Sequence, residues 1–199
     1  VRHLGEVEVV VLEIGALDNP TFTKAEGSVY FADFFTQQES RARHSASNST
    51  GHSVEKIVPV DYVLRDTRLP AAVSVAPDLI IANHVIEHIP NPIQWFQDLR
   101  ATCSAGANIF LSVPDRGYTF DYFKPLSDAV DWLRAFDEKA DRPTKYQILR
   151  HLFYHADVKG PDIWAGAVPR DHMHRLAMKA AIERSEELSK SYADVHCWV

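Results

Sequence analysis

The 199-residue sequence predicts an α/β fold, a three-layer parallel sheet with a helical C-terminal extension. Three observations carry this reading. Over the first 113 positions, short apolar runs alternate with helical patterns, as parallel strands with crossover helices do. One run, Asp78 to Val85, is continuously apolar like a strand covered on both faces, and it ends in the polar string Asn83, His84, Glu87 and His88. Beyond Pro114 no further buried-strand run occurs, and amphipathic patterns take over.

In chain order, Val7 to Ile14 is the first strand, and Val29 to Asp33 the second, closed by an acid. Thr36 to His44 reads as a short polar helix, because Thr36 and Glu39 have capping-box spacing. Ser45 to Ser53 is low in complexity, and its small polar residues cannot build a core. Lys56 to Val63 is the third strand and Asp78 to Val85 the fourth. Pro92 to Thr102 follows as a helix with Ile93, Phe96 and Leu99 at helical spacing, ended by Ser104-Ala105-Gly106. Ala107 to Val113 is the fifth strand. In the extension, Leu126 to Lys139 places Leu126, Ala129, Val130, Leu133 and Phe136 on one face, and Thr144 to His155 groups Ile148, Leu149, Leu152 and Phe153. A third helix, His172 to Ser191, carries Leu176, Ala180 and Leu188, with Glu186 four residues before Lys190. The chain thus divides into a core, 1–114, and a helical acceptor-side extension, 115–199, expected over the carboxyl ends of the strands.

Composition bounds the function. A hydrophobic content of 46% over this length supports one sizeable core. A net charge of -6 argues against a nucleic-acid partner, which calls for a basic face. Apolar stretches fall well short of the ~20 residues that cross a bilayer, and no secretory signal opens the chain, so a cytoplasmic protein is expected, with no membrane partner. Cys103 and Cys197 lack disulfide-framework or metal spacing and read as reduced thiols.

In open α/β sheets ligands bind beyond the carboxyl ends of strands, which puts the chemistry at Glu13-Ile14-Gly15-Ala16, Asp33 and Asn83-His84. Gly15 allows a ligand close to the backbone, Glu13 supplies negative charge, and Asp33, 18 positions on, suits a ribose diol. A dinucleotide fold would instead want G-x-G-x-x-G for its pyrophosphate, and this turn has one glycine and Asp18. The strings Val9 to Ala16, Asn83 to Pro92 with its HVxEH pattern, and Ser112-Val113-Pro114-Asp115 together resemble the class I methyltransferases that use S-adenosylmethionine, including those found with polysaccharide-biosynthesis enzymes. The resemblance covers residues 9 to about 125 and implies a Rossmann-like core. It departs at the first turn, where Ala16, Leu17 and Asp18 stand in place of further glycines.

That resemblance implies S-adenosylmethionine as cofactor, with Glu13, Gly15, Ala16, Asp33, Asn83 and His84 around it and Asp61 or Asp66 on adenine. The family's sheet has two more strands than this sequence shows, so the last strands are expected to be missing. The implied activity is methyl transfer to a small-molecule or saccharide hydroxyl. Because in-line displacement rests largely on alignment, a base adds ~10²–10⁴-fold, and Asp121, His155, His172 and His174 are the candidates for it among the titratable groups of the extension. The aromatics of Tyr118 to Pro125 either line an acceptor pocket or pack the extension. Three other readings stay open: a non-catalytic S-adenosylmethionine-binding protein, an NAD- or nucleotide-sugar-binding Rossmann protein, and a metal-dependent hydrolase using late histidines such as those of Asp171-His172-Met173-His174.

Overall fold

The computed structural model of the chain describes residues 9–46, 52–170, 176–191 and 193–199. Among them are five parallel strands in the order β3-β2-β1-β4-β5. These are β1 Val11–Ile14, β2 Val29–Asp33, β3 Tyr62–Val63, β4 Leu79–Asn83 and β5 Asn108–Ser112. The chain runs outward from β1 through β2 to β3, then crosses to β4 and β5, so the direction of winding reverses between β1 and β4. Ile14 is paired with Ala32 on one side and Ala82 on the other. The strands at the switch are therefore in register at their carboxyl ends.

Two compact units divide the chain: residues up to Asn83 with Phe96–Ser112, and His84–Trp95 with Val113–Val199. The first unit holds the whole sheet. Leu12 and Ile80 at its centre are both 0% exposed, and each burial is worth about 1.5–3 kcal/mol. Val11, Val29, Phe31 and Ile81 form a core with Phe22 and Val58 packed against it. β5 is the edge strand and leaves Ile109 and Phe110 exposed.

Strand boundaries differ from expectation for identifiable reasons. Residue Val7 lies outside the described residues, and at Val10 the N–H donates to the Asp78 carboxylate while the carbonyl accepts from Asp78 and Leu79. β3 shrinks to two residues because Pro59 lacks an N–H and Asp61 substitutes its side chain: the Phe31 N–H donates to Asp61 Oδ2 at 2.8 Å. β4 stops at Asn83 because His84 adopts φ 54°, which ends an extended run. Glu87 and His88, expected beyond the strand, lie on a 3₁₀ turn, Ile86–His88.

The helices are α1 Gln37–Ala46, α2 Leu69–Ala72, α3 Pro92–Thr102, α4 Ala129–Asp137, α5 Lys145–Tyr154, α6 Gly160–Trp164 and α7 Met178–Leu188. Thr36 and Glu39 make the expected reciprocal capping contacts on α1, and Thr144 with Gln147 does so on α5. Short α2 and α6 have no periodicity long enough to be read from sequence. The buried faces of α4 and α7 match expectation only in part, Leu188 among the expected residues packing on the core. On α4, Ala135 is buried and Trp132 packs beside it, whereas Val130 and Leu133 are exposed, as is Leu126 ahead of the helix. On α7 the stripe is Ala181, Ser185 and Leu188, and Glu186 pairs across to Lys145 at 2.6 Å rather than along the helix to Lys190. Both shifts follow from what covers each helix: the second unit's core includes Ile148 and the extended segment 193–199, with Val195, Cys197 and Trp198 buried. Among the described residues, no strand follows β5 and no helix is long and apolar enough to cross a membrane.

Candidate functional site

Around the switch point of the first unit, one hydrogen-bonded chain orders the polar groups. Glu13 on β1 is 1% exposed, and its carboxylate accepts from the Thr21 N–H at 2.8 and 3.0 Å and from the Thr21 hydroxyl at 2.8 Å. The amide of Asn83, at the end of β4, donates to the same hydroxyl at 3.0 Å. Thr21 thereby ties the loop after β1 to both central strands. Within that loop Gly15 has φ 71° and Leu17 φ 47°, left-handed values that curl the backbone back over the strand end. Ala16 is buried between them. Asp18 closes the far side, bonded to the Ser53 N–H at 2.6 Å and to His52 at 2.8 Å.

The remaining expected cofactor residues separate into two kinds. Asp33 ends β2, half-buried, and accepts the Phe35 N–H at 3.3 Å. Asp61 holds β2 and pairs with Lys24 at 2.5 Å, so both of its oxygens are engaged in structure. Asp66 is exposed on the loop after β3. His84, the first residue of the second unit, is exposed, with Nδ1 3.7 Å from a Glu87 carboxylate oxygen.

The second unit contains a buried polar cluster that brings together residues distant in sequence. Asp121 Oδ2 meets His196 Nδ1 at 2.5 Å, and Lys124 Nζ donates to the His196 carbonyl at 2.6 Å while lying 3.8 Å from Asp121 Oδ1. All three are buried. Burial pushes the Asp121 carboxyl up, but the His196 hydrogen bond and the Lys124 charge outweigh it and hold it below the ordinary range. Burial pushes the Lys124 ammonium down despite Asp121. It also pushes the Cys197 thiol up to about 12, which makes that sulfur an unreactive thiol. His151 accepts the His196 N–H on Nδ1, and burial, then the neighbouring His196 and Lys124, push it down to about 3, so it is neutral at physiological pH. His155, the C-cap of α5, stacks on Phe120 with ring centroids 4.4 Å apart. The aromatics expected to line a pocket or pack the extension do pack within this unit: Tyr118 stacks on Trp164, and Phe120 contacts His151, His155 and His196.

A cavity of about 140 Å³ adjoins this cluster. Its walls include Ile86, Pro114, Trp132 and Trp198, and its polar groups are Glu87, Arg116, Thr119 and Asp121. Of the four expected titratable groups, Asp121 lines the cavity and His155 packs on Phe120. His172 and His174, with the whole Asp171 to His174 string, lie outside the described residues. What sequence reasoning missed is the partnership of Asp121 with Lys124 and His196. No local pattern signals a contact between side chains 75 positions apart.

A family of methyltransferase domains matches residues 10–183, and the chain belongs to that family, the S-adenosylmethionine-dependent class of methyltransferases. Two solved structures are similar to it at 14% identity. One is the plantazolicin methyltransferase BpumL in complex with a pentazolic desmethylPZN analog and SAH, with 66% of this chain and 49% of that chain covered and a TM-score of 0.38. The other is the DszA carbon methyltransferase, with 70% and 34% covered and a TM-score of 0.37. The chain spans about half or less of the length of those structures. No curated protein matches it.

Proposed function

We propose that the chain transfers the methyl group of S-adenosylmethionine to a hydroxyl of a small molecule or saccharide. The observation that carries this reading is the alignment, at the carboxyl ends of adjacent strands, of a left-handed glycine turn (Gly15), an acid (Asp33) and an amide (Asn83) on either side of the switch point. The residues fit the cofactor. A side chain at Gly15 would be strained at φ 71°, so the turn offers bare backbone to an amino-acid tail, and no phosphate cradle is present. Asp33 suits the ribose diol. Of the two acids read for adenine, Asp66 is the better one, since Asp61 already serves β2 and Lys24. Glu13 acts through Thr21, keeping the loop and Asn83 in position. When bound, the cofactor supplies an electrophilic methyl on sulfur.

The second unit handles the acceptor in this proposal. Its cavity has apolar walls with Arg116, Thr119 and Asp121 available to hydrogen-bond a hydroxyl. Asp121 is the base in this proposal: it stays ionised, His196 holds its Oδ2, and its Oδ1, which carries no hydrogen bond, can take the acceptor's proton.

Calorimetry of the full chain tests the cofactor reading. S-adenosylmethionine or its demethylated product should bind more tightly than NAD. Asp33→Ala should weaken binding by about 1.5–3 kcal/mol, while Asp121→Asn should leave cofactor affinity intact and cut transfer. NAD preferred over S-adenosylmethionine would overturn the reading.

A further inference from the structure

Glu87 is the anomaly of the second unit. Its side chain is 3% exposed, yet neither carboxylate oxygen has a hydrogen-bond partner. A buried carboxylate without donors costs several kcal/mol unless something compensates it. Beside it lie two imidazoles. Ligand atoms of Glu87, His88 and His196 are all within 4.8 Å of one another. The His196 Nδ1 is hydrogen-bonded to Asp121 at 2.5 Å, and the His88 Nδ1 lies 2.9 Å from Asp194 as an ion-pair contact outside hydrogen-bond geometry. That orientation leaves Nε2 of both rings for another partner, the arrangement in which protein carboxylates orient metal-ligating histidines.

We propose that Glu87, His88 and His196 form a binding site for a divalent transition-metal ion. The ring geometry suits it. Two imidazoles bound through Nε2 at about 2.1 Å, at right to tetrahedral angles, have centroids roughly 4.6–5.3 Å apart, and those of His88 and His196 are 4.6 Å apart at 84°. Three such ligands need their donor atoms about 3.4 Å apart, so the set, whose ligand atoms lie within 4.8 Å of one another, contracts on binding an ion. Charge balance points the same way. Glu87, Asp121 and Asp194 outnumber Lys124 and Arg116, which leaves net negative charge around the imidazoles. A His₂-carboxylate set selects zinc or iron(II) over magnesium or calcium, and it leaves positions open. Glu87 lines the 140 Å³ cavity, so those positions open toward it. This site is independent of the cofactor reading, and nothing in it requires methyl transfer.

The test is metal binding by the full chain, stripped with EDTA and dialysed, then titrated with Zn²⁺ alone and with Co²⁺ followed by visible absorption. One ion per chain is expected. Glu87→Gln and His196→Asn should each weaken binding at least tenfold, and Asp121→Asn, acting through His196, by ten- to a hundredfold. His155→Asn should change nothing. If these variants fail to fold, X-ray absorption of the zinc-loaded parent decides: a first shell of nitrogen and oxygen with imidazole scattering supports the site, and a sulfur shell overturns it. Absence of binding would overturn it too, leaving protonated imidazoles as the counterions of Glu87. So would binding that survives Glu87→Gln but is lost in His172→Asn or His174→Asn.

Discussion

Glu13 and Glu87 are both buried glutamates, at 1% and 3% exposure, and their surroundings could hardly differ more. Glu13 takes three hydrogen bonds from Thr21 and so belongs to the frame of the first unit. Glu87 takes none through its side chain and sits beside histidines that are themselves oriented by acids. A fully partnered acid positions its neighbours, whereas an under-partnered one invites a ligand. By this criterion the strand ends of the first unit form a preorganised rim, and the cluster of the second unit keeps a buried carboxylate without donors.

The contrast is most exposed to failure at Lys124. If the second unit's cluster holds by mutual compensation, Lys124→Met strands Asp121 and the His196 carbonyl, and should cost about 3–5 kcal/mol in chemical denaturation. A loss under about 1 kcal/mol would show that water reaches the cluster and that its burial is unimportant. In the first unit the sensitive element is backbone, not charge. Gly15→Ala at φ 71° should cost about 1–2 kcal/mol and weaken S-adenosylmethionine binding in calorimetry. Unchanged affinity would separate the turn from the cofactor.

The smallest effect expected is electrostatic and on the surface. Arg65, then Thr36, hold the Glu39 carboxyl at about 2 against an ordinary 4.5. A depressed acid contributes stability fully above pH 4.5, and that contribution is lost as pH falls toward 2. Amide-exchange protection at the start of α1 should decline across that window, and Glu39→Gln should flatten the decline. A decline equally steep in the variant would assign it to other carboxyls.

The sheet was legible because its signals are local. β2 and α3 occur at the expected residues, since an apolar run ending in an acid and a periodic run ending in Gly106 each carry their own boundaries. The other strands were overextended, because a left-handed His84 and the carboxylate of Asp61 stop ladders without leaving a hydropathy mark. On α4 the more apolar stripe, Val130 and Leu133, is exposed, while Trp132 and Ala135 meet the core. Hydropathy alone cannot tell which side a neighbour will cover. For the candidate site, Gly15, Asp33 and Asn83 could be named from strand ends, and Asp121 from its place after β5. Its partners could not, because Lys124 and His196 become meaningful only once segment 193–199 is laid beside the 3₁₀ turn at 86–88.

That last pairing has a kinetic consequence. The Trp198 indole N–H donates to the Ile89 carbonyl, 109 positions away, and the Cys197 N–H to that of Glu87 at 2.6 Å. Between those partners the chain leaves the second unit, contributes part of α3 and all of β5 to the first, and returns. During synthesis, then, neither unit can finish while the other is still to begin. The sheet must accept β5 with residues 84–95 still waiting for their partners, and refolding of the second unit carries the entropy of closing a long loop, which grows by about 0.6 kcal/mol per doubling of length.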